Sequence, residues 1–166
     1  MTVTDILTDA FGRIRELVTV TAADLSPQQL AFRPNEQANS IGWLIWHLTR
    51  VQDDHLADAA GTEQVWTSQG WYDRFELPFE PAATGYGQDR EEVAAVTATT
   101  DLLTGYHEAV YRRTVEYLSG LAEADLGRVV DESWDPPVTL GARLVSVLSD
   151  DLQHVGQAAY LRGQLG

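Results

Sequence analysis

The apolar positions of this chain fall into four long stretches with helical spacing. In residues 4–22, Ile6, Leu7, Phe11, Ile14, Leu17 and Val18 recur at steps that share one helix face. The second stretch is Ile41 to Ala60, IGWLIWHLTRVQDDHLADAA. There Ile41, Leu44, Leu48, Val51 and His55 mark one broad face, with His47 beside Leu44 and Val51. Ser40 stands before it as an N-cap and Gly61 after it as a stop. The third spans 90–119. Glu91 and Glu92 occupy its first turn, where the helix dipole favours acids, and Gly120 ends it. Val93, Val96, Leu103, Tyr106, Val110, Val115 and Leu118 give it a broken stripe. Gly105 and the nearby threonines weaken its middle, so a kink or break is expected near 98–105. The fourth, 139–164, starts from a Thr139 N-cap and steps through Leu140, Leu144, Val147, Asp151, His154, Ala158 and Leu161.

The connections differ in character. Residues 24–39 carry the breakers Ser26-Pro27, Pro34 and Asn35. Residues 61–90 hold Gly61, Gly70, Pro78, Pro81, Gly85 and Gly87 together with Trp66, Trp71, Tyr72, Phe75, Phe79 and Tyr86. Loops this long are uncommon in compact domains unless functional or disordered, and the aromatic content argues against disorder. An ordered cap is expected, whose rings either pack beneath the loop or line a pocket. A further irregular stretch, 121–138, ends in Trp134-Asp135-Pro136-Pro137. No repeat or strand-like alternation stands out. The pattern predicts one all-α domain over residues 1–166, an antiparallel four-helix bundle with a long aromatic-rich loop between the second and third helices.

Composition narrows the chemistry. A chain of 166 residues can bury a real core. The net charge is -14, and all 11 basic residues are arginine. Such a surface repels phosphate backbones and anionic lipid heads, so neither nucleic acid nor membrane is an expected partner. No apolar run reaches about 18 residues, and the N-terminus lacks the form of a signal peptide. A cytoplasmic location is expected. Without lysine there is no Schiff base. Without cysteine there are no disulfides and no thiolate ligands, so any metal must rest on His, Asp or Glu. Phosphate-binding loops, dinucleotide fingerprints and nucleophile elbows are missing too.

One constellation remains. Asp150 and His154 are four residues apart and lie one above the other on a helix; Asp151 and His154, three apart, could also converge. His47, on an inward face of the second long helix, is the natural third group. Two imidazoles and one carboxylate leave coordination positions open, as catalytic metal sites do. The plainer reading is a hydrogen-bonded core histidine and a surface Asp–His pair. His55 stands roughly 12 Å along the axis from His47, too far to share its metal. His107, beside Glu108, reads as partly exposed, and Asp53 and Asp54 as a solvated or capping pair.

At these residues the chain resembles the DinB-like superfamily, in the branch of mycothiol-dependent transferases and maleylpyruvate isomerase-like domains. The resemblance lies in Asn39-Ser40-Ile41-Gly42-Trp43-Leu44-Ile45-Trp46-His47-Leu48 and Gly85-Tyr86-Gly87. It continues in Trp134-Asp135-Pro136-Pro137-Val138-Thr139-Leu140-Gly141 and Asp150-Asp151-Leu152-Gln153-His154-Val155-Gly156-Gln157-Ala158. It implies a divalent metal on His47, Asp150 and His154, with Asp151 as the alternate carboxylate. Zinc is favoured, with nickel or iron suiting similar ligands. It also implies a low-molecular-weight thiol, mycothiol or bacillithiol, as co-substrate, a small electrophile, and a homodimer by analogy. Two other readings stand beside it: a non-catalytic metal-binding or stress-response module, and a metal-dependent hydrolase on the same ligands.

Overall fold

Each long helix begins at a hydroxyl. Thr2 caps α1 (Val3–Ala22), Ser40 caps α3 (Ile41–Ala60), Thr99 caps α7 (Thr100–Ser119) and Thr139 caps α8 (Leu140–Gly163). In every case the side-chain oxygen accepts from the third backbone amide of the helix, a group the helix cannot itself satisfy. Gly61 closes α3 in the left-handed conformation at φ 67°, which glycine adopts without steric cost. The computed structural model describes residues 1–165. No helix among them is long and apolar enough to cross a membrane.

The four long helices share one core. Phe11, Ile14 and Val18 of α1 meet Leu44, Ile45 and Leu48 of α3, Leu103, Tyr106 and Val110 of α7, and Leu144, Val147 and Val155 of α8 in one buried cluster. α3 packs on α7 and α8, and α1 packs on the same two. Their directions correct the antiparallel expectation. Thr49 faces His107, Gln52 faces Thr114, and the Ala59 carbonyl accepts from Tyr117. Residue numbers rise together along this seam, so α3 and α7 run parallel. Along α1 and α7 they oppose: Thr100 bonds the Ala22 carbonyl while Arg15 pairs with Glu108. α3 and α8 oppose too, with His47 against His154 and His55 toward Arg143. Parallel neighbours need a connection that travels back along the helix, about 30 Å for 20 residues. Residues 61–99 make that return.

Three expectations change in detail. The third stretch is two helices, α6 (Arg90–Ala95) and α7, and the break falls at 96–99 because Asp89 and Thr99 each cap a new start. Gly105 does not kink α7. It leaves room for Trp71, whose Cη2 would lie 2.8 Å from a Cβ there. A short hairpin, β1 (Val129–Asp131) with β2 (Val138–Thr139), leads into α8. Strands of three and two residues are too short to show alternation. Short helices also punctuate the connections: α2 (Pro27–Leu30), α4 (Val65–Ser68) and α5 (Trp71–Phe75).

The return segment is held by buried charge. Asp53 is buried, not solvated. Its carboxylate accepts from the Val65 and Trp66 amides at 2.8 and 2.7 Å and from the Tyr106 hydroxyl at 2.8 Å. It therefore caps α4 from a different helix, and Arg50 lies 3.8 Å away. His107 is likewise buried, not partly exposed; its Nδ1–H donates to Thr49 Oγ1 at 3.0 Å, because the Thr49 hydroxyl itself donates to the Ile45 carbonyl.

Two measurements follow from these buried groups. Asp53→Asn takes the charge from a buried pair and presents an amide N–H to donors, so urea unfolding should show a loss of about 3–5 kcal/mol. Burial depresses the His107 pKa to about 4 from 6.5. The unfolded chain then binds the extra proton first, so this contribution is complete above pH 6.5 and is lost as pH falls toward 4. Between pH 6.5 and 5 the loss should be about 2 kcal/mol, and His107→Gln should flatten that part of the stability–pH curve.

Candidate metal centre

The buried stripe of α8 runs Leu140, Leu144, Val147, Asp151, Val155, Ala158, Leu161. Asp150 and His154 sit one position off it, at the rim of the seam with α3. His47 is one turn beyond Trp43 on α3 and faces them. These three residues each offer a donor atom, and the three atoms lie within 4.8 Å of one another. His47 is buried, whereas the side chains of Asp150 and His154 keep 36% and 19% of their surface. The group is thus anchored in the core and open on one side.

Hydrogen bonds fix both rings. The Thr84 carbonyl lies 2.5 Å from His47 Nδ1, and a carbonyl can only accept, so Nδ1 carries the proton and Nε2 keeps its lone pair. His154 Nδ1 is 3.2 Å from Gln157 Oε1, and its Nε2 is 3.5 Å from Asp150 Oδ1. Both imidazoles therefore turn Nδ1 outward to an oxygen, the arrangement that orients metal-binding histidines. Trp43 stacks on His47 at 4.5 Å and presents an edge to His154, while its Nε1–H donates to Gln88 at 2.8 Å.

Electrostatics separates the donors. Burial pulls the His47 pKa below the ordinary imidazole value, with the Thr84 carbonyl only partly opposing it. The hydrogen bond to Asp150 raises that of His154. For Asp150, burial opposes ionisation, but His154 and the other imidazoles outweigh it and hold the carboxyl below its usual range. Asp150 Oδ2 is buried and finds no hydrogen-bond partner among the described residues. A carboxylate with one orphaned oxygen beside the Nε2 atoms of two imidazoles is the donor set of a borderline divalent cation such as zinc, nickel or iron. The residues fit such an ion.

Asp151 lies apart from this group. It is fully buried, neither of its oxygens has a hydrogen-bond partner among the described residues, and burial followed by the Asp150 charge pushes its pKa well up. His55 pairs loosely with Asp54 at 3.9 Å and is also outside. A cleft of about 210 Å³ between α3 and α7, walled by Leu56, Ala57, Val110 and Tyr117, contains none of the three donors. The more open groove along α8 that includes Ser149 and Gln153 reaches one of them, Asp150. Thr84, Gly85, Gln88 and Gln157 had no assigned role from sequence. Gly85-Tyr86-Gly87 was a visible signal, but only the fold brings it to His47: a Cβ on Gly85 would lie 2.7 Å from His47 Nδ1.

The fold recurs in a solved structure. A crystal structure of a conserved protein from Enterococcus faecalis matches 98% of this chain and 96% of its own, at 32% identity and a TM-score of 0.91. No curated protein matches the chain. The family model described as Mycothiol-S-transferase matches residues 6–166. Nearly the whole sequence is covered, so this chain belongs to the Mycothiol-S-transferase family.

Proposed function

We propose that this protein is a divalent-metal-dependent thiol S-transferase or isomerase that activates mycothiol for attack on a small electrophile. The ligands are His47, Asp150 and His154, and zinc is the favoured ion. The observation that carries the reading is the convergence of these donors, from two helices far apart in sequence, within 4.8 Å. The scaffold is read as a four-helix bundle whose second and third long helices run parallel. A thiol that must stay reduced sets the working compartment as the cytoplasm.

A divalent cation held there supplies a Lewis acid that lowers the pKa of a thiol. The chain's own residues do the rest. The Thr84 carbonyl leaves His47 Nε2 without a proton, and Gln157 and Asp150 orient the His154 ring. Trp43 covers one side of His47 and limits water there. The thiol loses its proton to solvent at the open rim. Its sulfur pair then forms a bond to an electrophilic carbon. In transfer, the leaving group departs with its own pair; in isomerisation, addition of the sulfur passes the double bond's pair to the conjugated carbonyl, the resulting single bond rotates, and return of the pair restores the double bond and expels the sulfur.

Elemental analysis of untagged protein should find stoichiometric metal in the wild type and a large loss in His47→Ala and His154→Ala. Full metal content in both variants sinks the proposal. A chelator should lower Tm by about 5–10 °C, the linkage expected for a ligand present near 100 times its Kd. Mycothiol conjugation to a generic electrophile should fall by about 100-fold or more in each variant. Turnover that persists without any thiol would favour the hydrolase reading.

A further inference from the structure

His47 and Arg50 are one helical turn apart on α3, and both reach the same piece of the return segment. The Arg50 guanidinium is fully buried. Its Nε–H donates to the Ala83 carbonyl at 3.0 Å and its Nη2 to the Pro81 carbonyl at 3.3 Å. Nη1 donates to Gln64 Oε1 at 2.8 Å and to the Tyr106 hydroxyl at 3.3 Å. The Trp66 ring lies 5.0 Å from its charge centre. The carbonyl directly after those of Pro81 and Ala83 is that of Thr84, the acceptor of His47 Nδ1. The next residue, Gly85, has φ 95° and leaves space only for hydrogen against His47, Trp43 and Trp46.

These contacts form one short chain of cause. A planar fork holds two carbonyls in one fixed geometry, whereas the donors of an ammonium rotate freely. With residues 81 and 83 fixed, the peptide at 84 has little freedom, and neither has the imidazole it holds. A buried guanidinium is costly unless fully bonded, and here two of its four hydrogen bonds go to the strap that touches the metal group.

We propose that Arg50 is a positioning residue for the metal centre. It sets the Pro81–Gly85 strap so that Thr84 holds His47 in its binding orientation, and cation binding and ordering of the strap therefore stabilise each other. The proposal rests on the metal reading given above. The coupling must be reciprocal.

The test uses the full chain and zinc alone. Zinc affinity is measured by competition with a chromogenic chelator. Backbone hydrogen exchange over residues 80–88 is followed with and without zinc. Arg50→Lys keeps the charge and loses the fork; it should weaken zinc binding by about 10–100-fold, the range for outer-shell partners. It should also lose the zinc-induced protection of the strap that the wild type shows. Gly85→Ala, which presses a Cβ on His47 and leaves Arg50 alone, should weaken zinc similarly, and it decides the matter alone if Arg50→Lys does not fold. Val110→Ala, a core truncation away from the strap, should lower Tm without changing affinity. The visible spectrum of the cobalt(II)-loaded protein should shift in Arg50→Lys and not in Val110→Ala. Wild-type affinity in the folded strap variants overturns the proposal, as does an equal loss in Val110→Ala or a strap whose exchange ignores zinc. A wild type that binds no zinc removes the metal reading itself, and this proposal with it.

Discussion

The parallel run of α3 and α7 is the constraint from which the rest follows. Two parallel neighbours of 20 residues each cannot be joined by a tight turn. The chain has to return along the outside, over a distance near the length of a helix. That return exposes many backbone groups, and each must find a partner or face water. Asp53 and Arg50 meet this need from inside α3: one takes amides of α4, the other takes carbonyls of the strap. The aromatic rings of Trp66, Phe75 and Trp71 then pack on Tyr106 and seal the segment to the core. A topological demand thus puts a rigid piece of backbone beside His47.

The same constraint explains why the candidate site sits at a rim. α3 is covered by the return segment on one side and by α8 on another. Where these covers meet, the seam is deep enough to desolvate His47 and shallow enough to leave Asp150 and His154 half open. A histidine buried entirely, as His107 is, becomes a poor base and serves packing. A histidine on the open surface would lack the fixed orientation that His47 takes from Thr84. The rim supplies both burial and access.

Much of this was legible in the sequence, for reasons that can be named. The four long helices carry periodic stripes, and the hydroxyl caps at Ser40 and Thr139 are local signals. Asp150 and His154 are legible because an i, i+4 pair needs only one helix to meet. The relative direction of α3 and α7 was not legible, because stripe spacing is the same for either direction. Asp53 reads from sequence only as a solvated or capping residue, because its partners, the amides of Val65 and Trp66 and the hydroxyl of Tyr106, are brought to it only by the tertiary fold. His107 was misread for the same reason: its Thr49 partner lies on another helix. The hairpin before α8 is held by pairing and by the Leu140 amide bonding the Arg128 carbonyl, which leaves no periodic trace.

Electrostatics also bears on which neighbouring carboxylate serves the site. Asp150 and Asp151 are adjacent in sequence and point into different surroundings. Two carboxylates this close resist ionising together. Asp150 faces two imidazoles and is held in the charged form, while Asp151 faces apolar core, is pushed toward the neutral acid, and is pushed further by the charge on Asp150. The environment therefore drives the two pKa values apart, and such a split assigns different roles to like groups. A cation needs the ionised oxygen, and the ionised oxygen is the one at the rim beside His154 and within reach of His47. This favours Asp150 over Asp151 as the proposed ligand on energetic grounds that helical spacing alone could not supply.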